Sequence, residues 1–197
     1  MSAVLPPDID PQSRCRLPLP RREKLDAERQ RIYDTLADPQ GGGLRGLHGP
    51  GGIQLHSPGL SLRSRPLNRY LRFEAGLAPR TRELAILTVA REVESAFEWA
   101  AHEAEARAEG ISNAVIETVR RRRPTEGLDA TDAAVIDLGR EIFAARRVAP
   151  ETFARALAQF GRGGLVDLVA LMGNYAATAA LLTAFDMQLD EGTPPPF

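Results

Sequence analysis

The sequence predicts an all-α protein, and three observations carry that prediction. Apolar residues recur at helical spacing in one stretch after another, and no run shows sustained period-2 alternation with β-branched residues. Serine, aspartate or proline stands ahead of most of these stretches, with glycine behind several of them.

Residues 1–24 hold Pro6, Pro7, Pro11, Pro18 and Pro20 with little apolar periodicity and read as an extended arm, ordered where it packs on a neighbour. Asp26 caps a helix from Ala27 to about Ala37, with Ile32, Tyr33 and Leu36 inward. Seven glycines stand between Gln40 and Gly52. No Gly-Lys-Ser/Thr follows and no Gly-x-Gly-x-x-Gly links a strand to a helix, so a mobile loop is expected there and not a phosphate cradle. Ser57-Pro58 starts a helix that bends at Pro66 and continues through Leu67, Tyr70, Leu71 and Phe73 to Gly76.

Ala78-Pro79 opens the next helix, with Glu83 expected in its first turn, where the dipole favours any carboxylate. A helix from about Ser95 to Glu109 stops at Gly110, and Ser112 caps another from Asn113 to about Arg122. Asp129 or Thr131 caps a helix to about Ala145 with Val135, Leu138, Ile142 and Phe143 on its inner side. Pro150 opens a short helix through Phe153 and Leu157 that Gly161 ends. The last helix, Leu165 to about Phe185, is apolar and rich in alanine, as core or as a contact between subunits. Residues 193–197 make a proline-rich tail that cannot be helical.

At 197 residues the chain is long enough to bury a core without staples. Its 25 Lys and Arg nearly balance 26 Asp and Glu. Such a balance lacks the basic field that nucleic acid or an anionic membrane surface selects, so neither is expected as a partner. Arg120 to Arg123 form the one basic run and read as a solvated helix end. Cys15 is the only cysteine, which rules out an internal disulfide and suits a reducing compartment. The first residues carry no basic region followed by an apolar core, and no apolar run approaches the roughly 20 residues of a membrane span. A soluble, cytoplasmic protein is expected.

The chemistry gathers between Glu83 and His102. Leu84 to Ala90 is apolar enough to be buried on most sides, so acidic and imidazole groups delivered beside it must find partners or do chemistry. Ser95, Glu98 and His102 stand at i, i+3 and i+7, on one stripe of a helix. The stretch resembles the carboxymuconolactone decarboxylase and AhpD-like family, whose members place a glutamate and then Cys-x-x-Cys-x-x-x-His on two packed helices. Glu83 matches that glutamate, Ser95 and Glu98 stand where the two cysteines would be, and His102 matches the histidine. Gly76-Leu-Ala-Pro-Arg-Thr-Arg-Glu-Leu-Ala-Ile-Leu, Phe97-Glu-Trp-Ala-Ala-His and the region from Asn174-Tyr to Gly192 resemble the longer branch that lacks the cysteine pair. The resemblance implies an AhpD-like helical bundle over residues 25–192, flanked by the arm at 1–24 and the tail at 193–197. It also implies a homo-oligomer, trimer or hexamer.

The departure from the family pattern decides the chemistry. Peroxidase-type members reduce hydroperoxides through the cysteine pair, and a serine cannot stand in for a thiolate, having neither its acidity nor an accessible oxidised state. What remains is an acid/base set. An imidazole, with an ordinary pKa of about 6.5, gives or takes a proton near neutral pH. His102 is thus the candidate general acid/base, Glu98 its partner or a second acid, and Glu83 the orienting carboxylate. The decarboxylase members, which the set resembles, lose carbon dioxide from an unsaturated lactone acid without a cofactor, through a dienolate-like species that must be protonated. No cofactor and no metal is expected, although Glu98, His102 and His56 are the residue types a first-row metal takes.

Competing readings stand beside these. Ser95 also suits a helix N-cap, Glu98 and His102 an ordinary i,i+4 pair, and Trp99 and Phe97 plain packing. Ser95, Trp99, His56 and Tyr175 are the candidate substrate-contacting residues, and Arg69, Arg72, Arg80 and Arg82 the candidate carboxylate clamp. The leading expectation is a cofactor-independent lyase or isomerase acting on a small carboxylated lactone or similar carbon acid. A non-catalytic small-molecule binding or assembly protein on the same fold is the alternative, and an alkylhydroperoxidase the disfavoured third.

Overall fold

The computed structural model describes residues 5–38 and 45–197, and among them every regular element is helical. Residues 40–44 of the expected glycine-rich loop lie outside the described residues. The chain divides into two compact units, residues 1–67 with 180–194, and residues 68–179 with 195–197.

In the first unit α1 (Ala27–Ala37) begins where expected, because the Asp26 carboxylate accepts from the Arg29 N–H at 2.9 Å and satisfies one of the orphan donors of the first turn. Of its three expected inward residues only Ile32 is fully buried. A short helix, α2 (Pro50–Gln54), rises from the end of the glycine-rich stretch, with proline at its first position. The leader folds onto its own chain. Arg16 N–H donates to Phe185 O and Gln188 N–H to Arg14 O, both at 2.9 Å, and Ile9, Ser13 and Cys15 are buried. α3 (Pro58–Arg69) runs across the division between the units with Pro66 inside it.

The second unit is built around α4 (Pro79–Glu92), buried without a break from Thr81 to Ala90. With no polar face to turn to water, such a helix is stable only when neighbours enclose it. α5 (Ala96–Ala108), α6 (Asn113–Arg120) and α7 (Ala130–Arg140) do so. The expected caps start all three: Ser95, Ser112 and Asp129 accept from the N–H groups of Glu98, Val115 and Thr131. α7 packs against α4 at Gly139, where a Cβ would stand 2.6 Å from the Thr88 Cγ2 methyl. Beyond Arg140 a π-helical turn, Glu141–Ala145, completes the expected helix and ends at Arg146 in the left-handed region.

α8 (Pro150–Ala184) is interrupted at Gly161, whose φ of 64° and ψ of 179° no helix contains, so the glycine divides it where the sequence places the end of the short helix. Leu165, Leu168, Leu171, Met172 and Tyr175 join the core formed by α4 to α7. α8 is the one described helix long and apolar enough by composition to cross a membrane, but these core contacts and the break account for its apolar length. The basic run at the end of α6 is largely neutralised: Arg120 pairs with Glu103 and Glu117, Arg121 with Glu117, and Arg122 with Glu92 and Glu94.

Candidate active site

Sequence places Glu83 and His102 nineteen positions apart, and the turn between α4 and α5 brings them together. Glu94 adopts a φ of 55°, sparsely populated by residues with a Cβ, and the Ser95 N–H returns to the Ala90 carbonyl at 2.8 Å. This turn folds α5 back along α4. The cap at Ser95 then fixes the register of α5, so that Glu98 and His102, one turn apart, face the second turn of α4.

The imidazole of His102 lies between two carboxylates. Its Nδ1 stands 2.7 Å from Glu83 Oε2, and its Nε2 stands 3.6 Å from Glu98 Oε2. All three residues are buried, Glu83 completely. Tyr175 on α8 closes one side, its ring edge-to-face with the imidazole at 5.1 Å and 86°. Glu83 is the fifth residue of α4, in the second turn and not the expected first, so side chains hold this carboxylate and not the helix N-terminus. Arg82 Nε donates to Glu83 Oε1 at 2.9 Å, and Arg72 Nη2 lies 3.9 Å from the same oxygen.

Electrostatics follow from this geometry. Burial alone raises the Glu83 pKa, but the hydrogen bond and charge of His102, with Arg82 and Arg72, outweigh it and hold the carboxyl below its ordinary range. The carboxylate is therefore ionised, accepts from the Nδ1–H of His102 and leaves Nε2 as the nitrogen free to exchange a proton beside Glu98. Burial raises the Tyr175 phenol well above its ordinary value, so it stays a neutral donor.

The four arginines of the candidate clamp divide sharply. Arg69 pairs with Glu74 at the surface, and Arg80 forks onto the buried Asp132 of α7. Arg82 is committed to Glu83 and to the Arg72 carbonyl, 2.8 Å from its Nη1. Arg72, buried in a π-helical turn over Tyr70–Glu74, is the fourth, and its Nε has no hydrogen-bond partner among the described residues.

The other candidates have duties of their own. Ser95 Oγ is the N-cap acceptor of α5. Trp99 is buried and donates through Nε1 to Glu103 Oε2 at 2.7 Å, with Phe197 edge-on to its ring and Arg120 over it. Phe97 is buried. His56 belongs to the first unit, where its Nε2 meets the Pro18 carbonyl at 3.0 Å. Cys15 lies buried in the same unit, its thiol 3.3 Å from the Leu17 carbonyl. No group of three or more His, Cys, Asp and Glu suited to a metal ion occurs among the described residues. Sequence reasoning could not rank Arg72 above its neighbours, because burial inside a π-helical turn leaves no spacing signal.

Two core helices, α4 and α5, thus present a buried glutamate to a buried histidine in a unit whose described elements are all helical. Residues 64–136 match the sequence model of the Carboxymuconolactone decarboxylase family, and this segment holds Arg72, Glu83, Glu98 and His102. Tyr175 lies outside the matched segment. No curated protein matches the chain.

Proposed function

We propose that the protein is a cofactor-independent lyase or isomerase that moves a proton on a small carboxylated lactone or similar carbon acid. The observation that carries this reading is His102 held at Nδ1 by an ionised Glu83, with Nε2 directed at Glu98, inside a cluster closed to bulk water. That arrangement fixes the tautomer and lets a single nitrogen exchange the proton.

In the decarboxylation the substrate's carbon–carboxylate bond breaks and carbon dioxide leaves. The bonding pair passes into the conjugated lactone as a dienolate. The imidazolium Nε2–H of His102 then gives its proton to the ring carbon that carries the developing charge, and Glu98 returns a proton from solvent to Nε2. Glu83 orients the imidazole and balances its charge in the protonated state, as an acidic partner does for any catalytic histidine. The absence of cysteine from the site supports proton transfer over hydroperoxide reduction. Cytoplasmic residence and a homo-oligomeric state belong to the same proposal, supported by a free, buried Cys15 and by the family resemblance.

The test is carbon dioxide release from 4-carboxymuconolactone by the wild type, His102→Ala and Glu98→Gln. Turnover that falls by about 10²- to 10⁴-fold in folded His102→Ala is the expected result. Equal turnover in both would remove His102 from the mechanism, and tight substrate binding without turnover would favour the binding-protein alternative.

A further inference from the structure

Among the arginines near the site, Arg72 is buried with the Nε of its guanidinium unpartnered among the described residues. The residue is 9% exposed, and its Nη2 lies 3.9 Å from Glu83 Oε1. A buried guanidinium N–H left unpaired costs more than a neutral one, so the position calls for an acceptor that the described residues do not supply. The side chain is also held in place. Its own carbonyl accepts from Arg82 Nη1 at 2.8 Å, and its guanidinium lies over the Phe73 ring, 4.8 Å from the centroid. The π-helical turn, closed by the Ala75 N–H on the Tyr70 carbonyl at 2.8 Å, buries Leu71 and Arg72 together.

A second donor faces the same space. Tyr175 is buried, and its ring stands edge-to-face with the His102 imidazole at 5.1 Å. Arg72, beside Glu83, and Tyr175, beside the imidazole, thus bring a cationic and a neutral donor to the same carboxylate–imidazole pair.

We propose that Arg72, with the Tyr175 hydroxyl as second donor, is the anion-binding element of this site and accepts a carboxylate of the small-molecule ligand. The inference rests on the reading of the His102 cluster as a functional site and does not depend on which reaction occurs there. Guanidinium and carboxylate match in planarity and charge, and the other three arginines of the region are already occupied.

The experiment uses a ligand that cannot react. 5-Oxotetrahydrofuran-2-carboxylate lacks the double bond needed for a dienolate, and its carboxamide has the same shape without the charge. Calorimetric titration of both into the full-length wild type, Arg72→Met, Arg72→Lys and Tyr175→Phe reads binding alone. The wild type is expected to prefer the acid at least about tenfold. Arg72→Met abolishes the preference, Arg72→Lys keeps the charge but loses most of the preference with Nε, and Tyr175→Phe weakens acid binding about threefold. Should Arg72→Met fail to fold, Arg72→Lys decides. No preference in the wild type, or an undiminished preference in folded Arg72→Lys, overturns the proposal. Intact acid preference with no turnover of 4-carboxymuconolactone would sink the proposed reaction and leave the anion site standing.

Discussion

Arg82 and Glu83 are neighbours in sequence and partners in space: Arg82 Nε lies 2.9 Å from Glu83 Oε1, while the other oxygen of the same carboxylate takes His102 Nδ1 at 2.7 Å. One fully buried carboxylate thus balances a guanidinium on one side and orients an imidazole on the other, with Arg72 at 3.9 Å as a second cation. Removing it takes the carboxylate from Arg72 and leaves Arg82 with the longer 3.9 Å approach to Glu109, and an uncompensated buried charge costs about 3–5 kcal/mol. Glu83→Gln is expected to lose that much unfolding free energy at neutral pH, read by urea denaturation. A loss below about 1 kcal/mol would show that the carboxylate is not the counter-charge of this cluster.

The same group sets a pH dependence whose sign is fixed. The Glu83 pKa is lowered in the folded protein from an ordinary value of 4.5, against the opposing pull of burial. Below 4.5 the unfolded chain therefore binds protons that the folded chain refuses. The stability contributed by the ionised carboxylate is complete above that value and is lost as pH falls through the depressed folded value. Unfolding curves of the wild type taken stepwise below pH 5 should show this decline, and those of Glu83→Gln should decline less steeply. Parallel declines in the two proteins would assign the acid sensitivity to other carboxylates.

Ser95 caps α5, its side chain accepting from the Glu98 N–H. The cap is a ground-state structural duty, so Ser95→Ala should cost about 1 kcal/mol of stability and leave turnover within a small factor. Ser95→Asp, which retains an acceptor for the Glu98 N–H, should recover most of the loss. A folded Ser95→Ala protein that loses turnover by more than about tenfold would instead make the hydroxyl a participant in the chemistry.

Where the controlling interaction is local, the sequence was sufficient. Asp26, Ser95 and Ser112 cap the helices they precede because a cap involves only the next few residues, and of the two candidates Asp129 and Thr131 it is Asp129 that caps α7; Gly161 breaks α8 because its backbone conformation is open to glycine. The approach of Glu83 to His102 depends instead on the tight turn at Glu94, and became legible through the family resemblance and not through spacing. Burial of Arg72, against the exposure of Arg69 three positions earlier, follows from the π-helical turn, which shifts the phase of the helix by one residue. α2 was not anticipated, since Pro50, Gly51 and Gly52 read locally as turn residues.

The contact between α7 and α4 is the last feature that only the folded chain displays, and it makes a two-sided prediction. A Cβ at Gly139 would stand 2.6 Å from Thr88 Cγ2, on two helices packed through the core. Alanine gains about 1 kcal/mol of helix propensity over glycine, but overpacking in a close-packed core costs about 1–3 kcal/mol, and a contact this short falls at the upper end. Gly139→Ala should therefore destabilise the protein. Thr88→Ser deletes the opposing methyl while keeping the hydroxyl that donates to the Leu84 carbonyl at 2.8 Å. The double variant Gly139→Ala/Thr88→Ser should be more stable than Gly139→Ala alone, with a coupling of about 0.5–3 kcal/mol in a double-mutant cycle. Strict additivity would mean that the helices separate on their own account, and that this single methyl does not set the distance between α4 and α7.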